Sequence, residues 1–156
     1  MKRTLSLLSA AFVIYVLTGC GSGTQPASVD NTPKAPANDT AVKDKGIGKF
    51  KDLKLSPTLD QSMVSGGNAL YESKCIACHK LTDEKLVGPG WTGIMDRRTP
   101  EWIMNFITNT NVMLDSDLVA QQLMVICTTR MPNQNLTDDQ ARSILEFMRK
   151  NSPPKK

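Results

Sequence analysis

Residues Cys75-Ile76-Ala77-Cys78-His79 carry the densest chemistry in the chain: two thiols separated by two residues, followed at once by the only histidine among 156 residues. Each thiol of such a pair can add across one vinyl group of a haem. The residue that follows then lies beneath the iron, where its imidazole binds as the proximal axial ligand. On this reading Cys75 and Cys78 attach one c-type haem covalently and His79 supplies the first protein ligand to its iron. A structural zinc site would need two more Cys or His ligands at matching spacing, and Cys127 alone remains in the mature domain. A thioredoxin-like redox pair would want a βαβ pattern around it, whereas the periodicity of this chain is helical throughout.

The start of the chain reads as an export signal. Lys2 and Arg3 form a basic segment, Leu5 to Leu17 an apolar one too short to span a membrane comfortably, and Leu17-Thr18-Gly19-Cys20 closes it. Small residues before a cysteine resemble the lipobox of bacterial lipoproteins, in which Cys20 would be acylated after cleavage of residues 1–19. The competing reading is an ordinary secretory signal with an incidental cysteine. From residue 20 to 46 the composition turns to Ser, Thr, Pro, Ala, Asn and Lys with little apolar bulk, as expected of a flexible tether. About 26 such residues reach on the order of 30 Å. Residues 47–156 are then the folded domain, facing the periplasm and held to the membrane through lipid. Cysteine use closes almost completely on this scheme, with Cys127 left in an apolar segment as a buried small hydrophobe or, less simply, a reactive thiol.

From Leu55 to Lys156 eleven Lys and Arg face eleven Asp and Glu. That balance gives no electrostatic footprint for nucleic acid. A single Cys-x-x-Cys-His and the absence of internal repeats exclude multihaem arrays.

The elements that must position these groups are helices. Ser56 and Pro57 suggest N-cap and N1 of a first helix, with Leu59, Met63, Leu70 and Tyr71 as its apolar face, and residues 47–55 as a short extended lead-in. Thr99-Pro100 repeats the device ahead of Trp102, Ile103, Phe106 and Ile107. A third helix is expected from about Ser116 to Cys127, and Thr137-Asp138-Asp139-Gln140 is a capping box opening a fourth, with Ala141, Ile144, Leu145 and Met148 on one face. The fold class is all-α, about four helices around one haem. In a domain of about 100 residues the haem should supply much of the buried apolar surface, leaving the apo form poorly folded.

From about Leu55 to Asn151 the chain resembles class I cytochromes c, and the likeness extends beyond the haem motif. Gly67, Tyr71 and Cys75 match that family's first-helix pattern of a glycine, an aromatic four residues on and the first haem cysteine; Ile144 and Phe147 match its last helix, which crosses that glycine. The resemblance implies that Gly88-Pro89 is the turn whose proline carbonyl accepts the Nδ1 proton of His79, fixing the ring and raising ligand basicity. With no second histidine, the sixth ligand must be methionine, lysine, water or nothing. The resemblance nominates Met131, followed by Pro132, over Met124 and Met113, which read better as core fillers. It also implies a haem-pocket role for Trp91, as wall more than relay, and a propionate partner in Arg97 or its neighbour Arg98, against a solvated surface role for either. Trp102 reads as core packing, and Lys80 as a solvent-facing residue near the docking rim.

The function implied is one-electron transfer, not catalysis, between a respiratory donor (a quinol-oxidising complex or another cytochrome) and a terminal oxidase or reductase, docking transiently through the exposed haem edge. Two alternatives stand beside it. One is a haem enzyme or gas sensor, which needs a labile sixth ligand and lacks an evident acid–base group; the other is a fixed subunit of a respiratory complex.

Overall fold

The computed structural model describes residues 44–152, and the expected signal peptide, Cys20 and nearly all of the expected tether lie outside them. Six helices occur among the described residues: α1 (Gln61–Lys74), α2 (Ile94–Arg97), α3 (Pro100–Thr108), α4 (Thr110–Ser116), α5 (Leu118–Cys127) and α6 (Asp138–Asn151). No strand forms among those residues; a single backbone bridge joins His79 to Lys85. The architecture is all-α, as the periodicity predicts.

The central contact is the crossing of α1 on α6. Gly67 makes it possible, because a Cβ there would lie 2.1 Å from the Ser143 carbonyl oxygen and 2.7 Å from Phe147 Cβ. Tyr71, Ile144, Leu145 and Phe147 bury around the crossing, and the Tyr71 and Phe147 rings pack 5.5 Å apart. α6 starts as expected: Thr137 Oγ1 accepts from the Gln140 N–H, and the Thr137 N–H donates to Gln140 Oε1. α3 also starts where Thr99-Pro100 predicts, with Thr99 Oγ1 accepting from the Trp102 N–H at 3.1 Å.

Two boundaries differ from expectation. α1 begins after Asp60, not at Ser56: the Asp60 carboxylate accepts from the backbone of Ser62 at 2.9 Å and Met63 at 3.1 Å. The Ser56 carbonyl, which a helix starting there would need, is instead taken by Arg149 Nη2 at 2.7 Å. A carboxylate is also the better cap at the positive end of a helix. The third expected helix starts at Leu118 and not at Ser116, as α5, and α4 is a further helix ahead of it: Asp117 is extended (ψ 121°), which ends α4, and its side chain caps α5 by accepting from the Ala120 N–H at 2.8 Å.

The lead-in is a packed strap and not an extended one. Asn105, fully buried on α3, donates to the carbonyls of Lys45 and Phe50 at 2.8 Å each and accepts from the Phe50 N–H at 3.0 Å. Residues 44–46, counted with the tether in the sequence reading, lie in this strap: Thr99 Oγ1 donates to the Asp44 carbonyl, and Gly46 sits against Met113 and Trp102. Further along, the buried Glu146 carboxylate pairs with Arg142 at 2.8 Å and Arg149 at 2.7 Å, and these two arginines donate to the carbonyls of Lys54 and Ser56. A charge buried to this depth persists only when paired and hydrogen-bonded.

Candidate haem site

α1 ends at Lys74, and the Cys75–His79 segment turns off its C-terminus, with the His79 N–H donating to the Cys75 carbonyl at 2.9 Å. Tyr71 holds this turn from the side, its hydroxyl donating to the His79 carbonyl at 2.8 Å. The chain then folds back on itself: the Gly88 N–H donates to the Cys78 carbonyl and the Trp91 N–H to the Lys80 carbonyl, each at 2.9 Å. This return brings the Pro89 carbonyl 2.9 Å from His79 Nδ1. A carbonyl can only accept, so Nδ1 carries the proton and the Nε2 lone pair is free for a metal. Burial lowers the proton affinity of the imidazole below that of a free histidine, with the Pro89 bond acting the other way. Gly88 is required where it stands, since a Cβ would fall 2.3 Å from His79 Cε1.

His79 opens onto a cavity of about 510 Å³, whose walls include Cys78, Pro89, Trp91, Met131 and, from α3, Ile103 and Phe106. A smaller pocket of about 50 Å³ adjoins it and brings Cys75 to the same place; Cys78, His79, Trp91 and Met131 line both. Cys75 is buried and Cys78 partly so, and neither is in a disulfide. Burial pushes the Cys75 thiol up to about 11, with Lys74 pulling weakly down and Cys78 adding to the rise.

The remaining nominated residues distribute clearly. Trp91 is buried, with its ring 5.0 Å from Tyr71 and 5.7 Å from His79, as a wall of the cavity. Arg97 lines the cavity with its guanidinium donating to the carbonyls of Gly90, at 2.8 Å, and Thr92. Arg98 lies over the Trp102 ring at 5.0 Å. Trp102 stacks on Phe106 at 4.9 Å, donates from Nε1 to Asp117 Oδ1 at 3.3 Å and also reaches the cavity. Lys80 pairs with Glu84 at 2.7 Å. Cys127 is buried and lines the cavity, its thiol raised by burial against the pull of Lys85.

Four methionines bear on the second ligand position. Met113 is fully buried, accepts the Ile47 N–H on its sulfur at 3.0 Å and does not line the cavity. Met124 lines only the larger space, whereas Met131 lines both spaces that His79 lines. Met148 also reaches both, but from the buried face of α6, within the core cluster. Sequence reasoning did not single out Asp60, Asn105, Asp117 or Glu146. Of these Asp60 and Asp117 carried a local signal, an Asx residue just ahead of a helical run.

The comparisons bear on the family and the fold. The family model described as Cytochrome c matches residues 64–152. Cytochrome c from Rhodothermus marinus is 35% identical, with a TM-score of 0.64 over 67% of this chain and 90% of that one. An engineered cytochrome c from Rhodothermus marinus, Rma TDE, is 34% identical with a TM-score of 0.64 over the same shares. The same engineered protein bound to a carbene intermediate is 33% identical, with a TM-score of 0.60 and coverage of 67% and 90%. No curated protein matches the chain.

Proposed function

Because the chain belongs to the cytochrome c family, whose cofactor is covalent c-type haem, we propose that it is a monohaem electron carrier tethered by lipid at Cys20 to a bacterial envelope membrane. In this reading Cys75 and Cys78 attach the haem, His79 and Met131 are the axial ligands, and partners dock at the exposed haem edge. The donor is a quinol-oxidising complex or another cytochrome, and the acceptor a terminal oxidase or reductase. The observation that carries the reading is the gathering of Cys75, Cys78, His79 and Met131 around adjoining cavities, with the His79 proton fixed on Nδ1 by Pro89.

The donor set fits haem: two thiols for attachment, a neutral imidazole with Nε2 free, a thioether, and an apolar enclosure. A haem bound there supplies a one-electron iron(III)/iron(II) couple. The residues do the rest. Pro89 and Gly88 fix the imidazole plane, Trp91 packs beside the His79 ring, Tyr71 holds the His79 carbonyl, and Met131 would supply the second iron ligand. Arg97, committed to two backbone carbonyls at the cavity edge, presents fixed positive charge to the carboxylates of a bound haem. The carboxylates on the cavity lining, Asp83 and Asp96, are solvent-exposed, and no histidine other than His79 exists to serve peroxide cleavage. This favours electron transfer over catalysis. No helix among the described residues is long and apolar enough to cross a membrane.

The test is the optical spectrum of the purified holoprotein. The expected result is a low-spin ferric spectrum with a weak long-wavelength sulfur-to-iron band, lost in Met131→Ala, and no reaction of the ferrous form with carbon monoxide. A high-spin ferric iron, or ready carbon monoxide binding, would move the enzyme or sensor reading to the front.

A further inference from the structure

We propose that Arg130 is a positioning residue for Met131. Its ion pair with Asp115 latches the ligand loop onto α4, and opening of the latch exposes the sixth position to small neutral ligands. The proposal rests on Met131 being the axial ligand.

The loop spans residues 128–137, between α5 and α6, and most of it is exposed; Met131, Gln134 and Leu136 are half-buried. Its first residue is unfavourably placed. Thr128 caps α5 at φ 57° and ψ −1°, a left-handed conformation that a β-branched residue resists. Much of the loop's hydrogen bonding then turns inward: Gln134 Nε2 donates to the Pro132 carbonyl and the Asn135 N–H to Asn133 Oδ1, neither of which ties it to the body. After Met131 the tie is long, Lys74 Nζ to the Gln134 carbonyl at 3.5 Å. Before Met131 it is Arg130, whose Nη2 donates to Asp115 Oδ1 at 2.8 Å and to the Asn111 carbonyl at 3.3 Å.

The far end of this tie is rigid. α4 buries Thr110, Met113 and Leu114, so Arg130 connects the residue next to the ligand to a helix sunk in the core. A neutral thioether is a weak partner for iron, and strain at Thr128 works against a closed loop. The Arg130–Asp115 pair, with side chains 44% and 61% exposed, is itself modest and open to screening. The position is therefore held by a latch that can open, its contribution about two- to fivefold in the closed-to-open ratio.

Imidazole titration of the ferric full-length holoprotein, followed at the long-wavelength sulfur-to-iron band, tests this. Arg130→Gln and Asp115→Asn should each raise imidazole affinity by about two- to fivefold. The double variant should bind no more tightly than Arg130→Gln, which also loses the Asn111 bond, and the charge swap R130D/D115R should return toward wild type. Arg130→Lys, which keeps the charge without the fork, should fall between wild type and Arg130→Gln. Raising sodium chloride should increase imidazole affinity in the wild type and leave Asp115→Asn unchanged. Single variants that bind imidazole as the wild type does, with the sulfur band intact, would overturn the latch and leave Met131 as ligand. A wild type without that band, with Met131→Ala binding imidazole equally well, would overturn both.

Discussion

At the scale of single residues, the site is built by atoms that are absent as much as by those present. Gly88 leaves the room in which the His79 ring stands; a methyl group would meet that ring at 2.3 Å from Cε1 and 2.7 Å from Nδ1. Gly88→Ala should therefore swing the imidazole away from the Pro89 carbonyl. The expected outcome is a ferric spectrum that gains high-spin character, with stability lower by about 1–3 kcal/mol as for other overpacked sites. An unchanged low-spin spectrum and denaturation midpoint would show that the turn gives way at no cost. The residues nominated by the motif and the family likeness are those whose chemistry is local. Two thiols, an imidazole and a Gly-Pro turn declare themselves within 15 positions, from Cys75 to Pro89. Asn105 and Glu146 could not be found this way. Asn105 finds its partner at Phe50, 55 residues away, and Arg149, which pairs with Glu146, donates to Ser56, 93 residues from itself. A buried Glu between two arginines on α6 reads in sequence as an ordinary solvated helix face.

At the scale of elements, helix starts were legible where the cap competes with nothing else, as at Thr99 and Thr137, and not where a distant side chain claims the backbone, as Arg149 claims Ser56. The Asp60 cap has a pH signature. Bonds from Ser62 and Met63 lower its carboxyl below the ordinary value of 3.8. A carboxyl lowered in the folded state contributes stability that is full above its unfolded pKa and is lost as pH falls through its folded pKa. Asp60→Asn keeps a capping side chain but removes the charge. Its unfolding free energy should therefore fall less steeply than that of wild type below pH 3.8, in parallel acid titrations. The strap over residues 44–56 makes a second case. It owes its place to side chains of α3 and α6, Asn105 foremost, which satisfies two strap carbonyls and one strap N–H. Asn105→Ala would orphan all three groups in a buried setting. A loss of about 2–4 kcal/mol is expected in denaturant unfolding, together with faster proteolysis between residues 44 and 56. A loss below about 1 kcal/mol would mean that water replaces the amide there.

At the scale of the whole molecule, core and cofactor site are one structure. Trp91, Trp102, Ile103, Phe106, Ile107 and Met148 belong to the buried cluster and also form the cavity walls. The helices around them would therefore pack on a haem held there as well as on each other. The size of the cavity decides how much this matters. A cleft of about 510 Å³ with apolar walls is large against the few voids a packed core tolerates, in a domain whose total stability is about 5–15 kcal/mol. A chain without haem should therefore collapse around the cavity or lose fixed packing. The α1–α6 crossing is the part best able to survive. Gly67 and Phe147 hold it, and it closes on a face that includes residues away from both pockets, such as Val64 and Leu145. The variant C75S/C78S, in which thioether attachment cannot occur, is thus expected to keep part of its far-ultraviolet helical signal. It should lose near-ultraviolet signal from Trp91 and Trp102, bind a hydrophobic dye and unfold without a sharp transition. A cooperative transition with native near-ultraviolet signal in that variant would mean that the helices specify their packing alone, and that the haem enters a site already built.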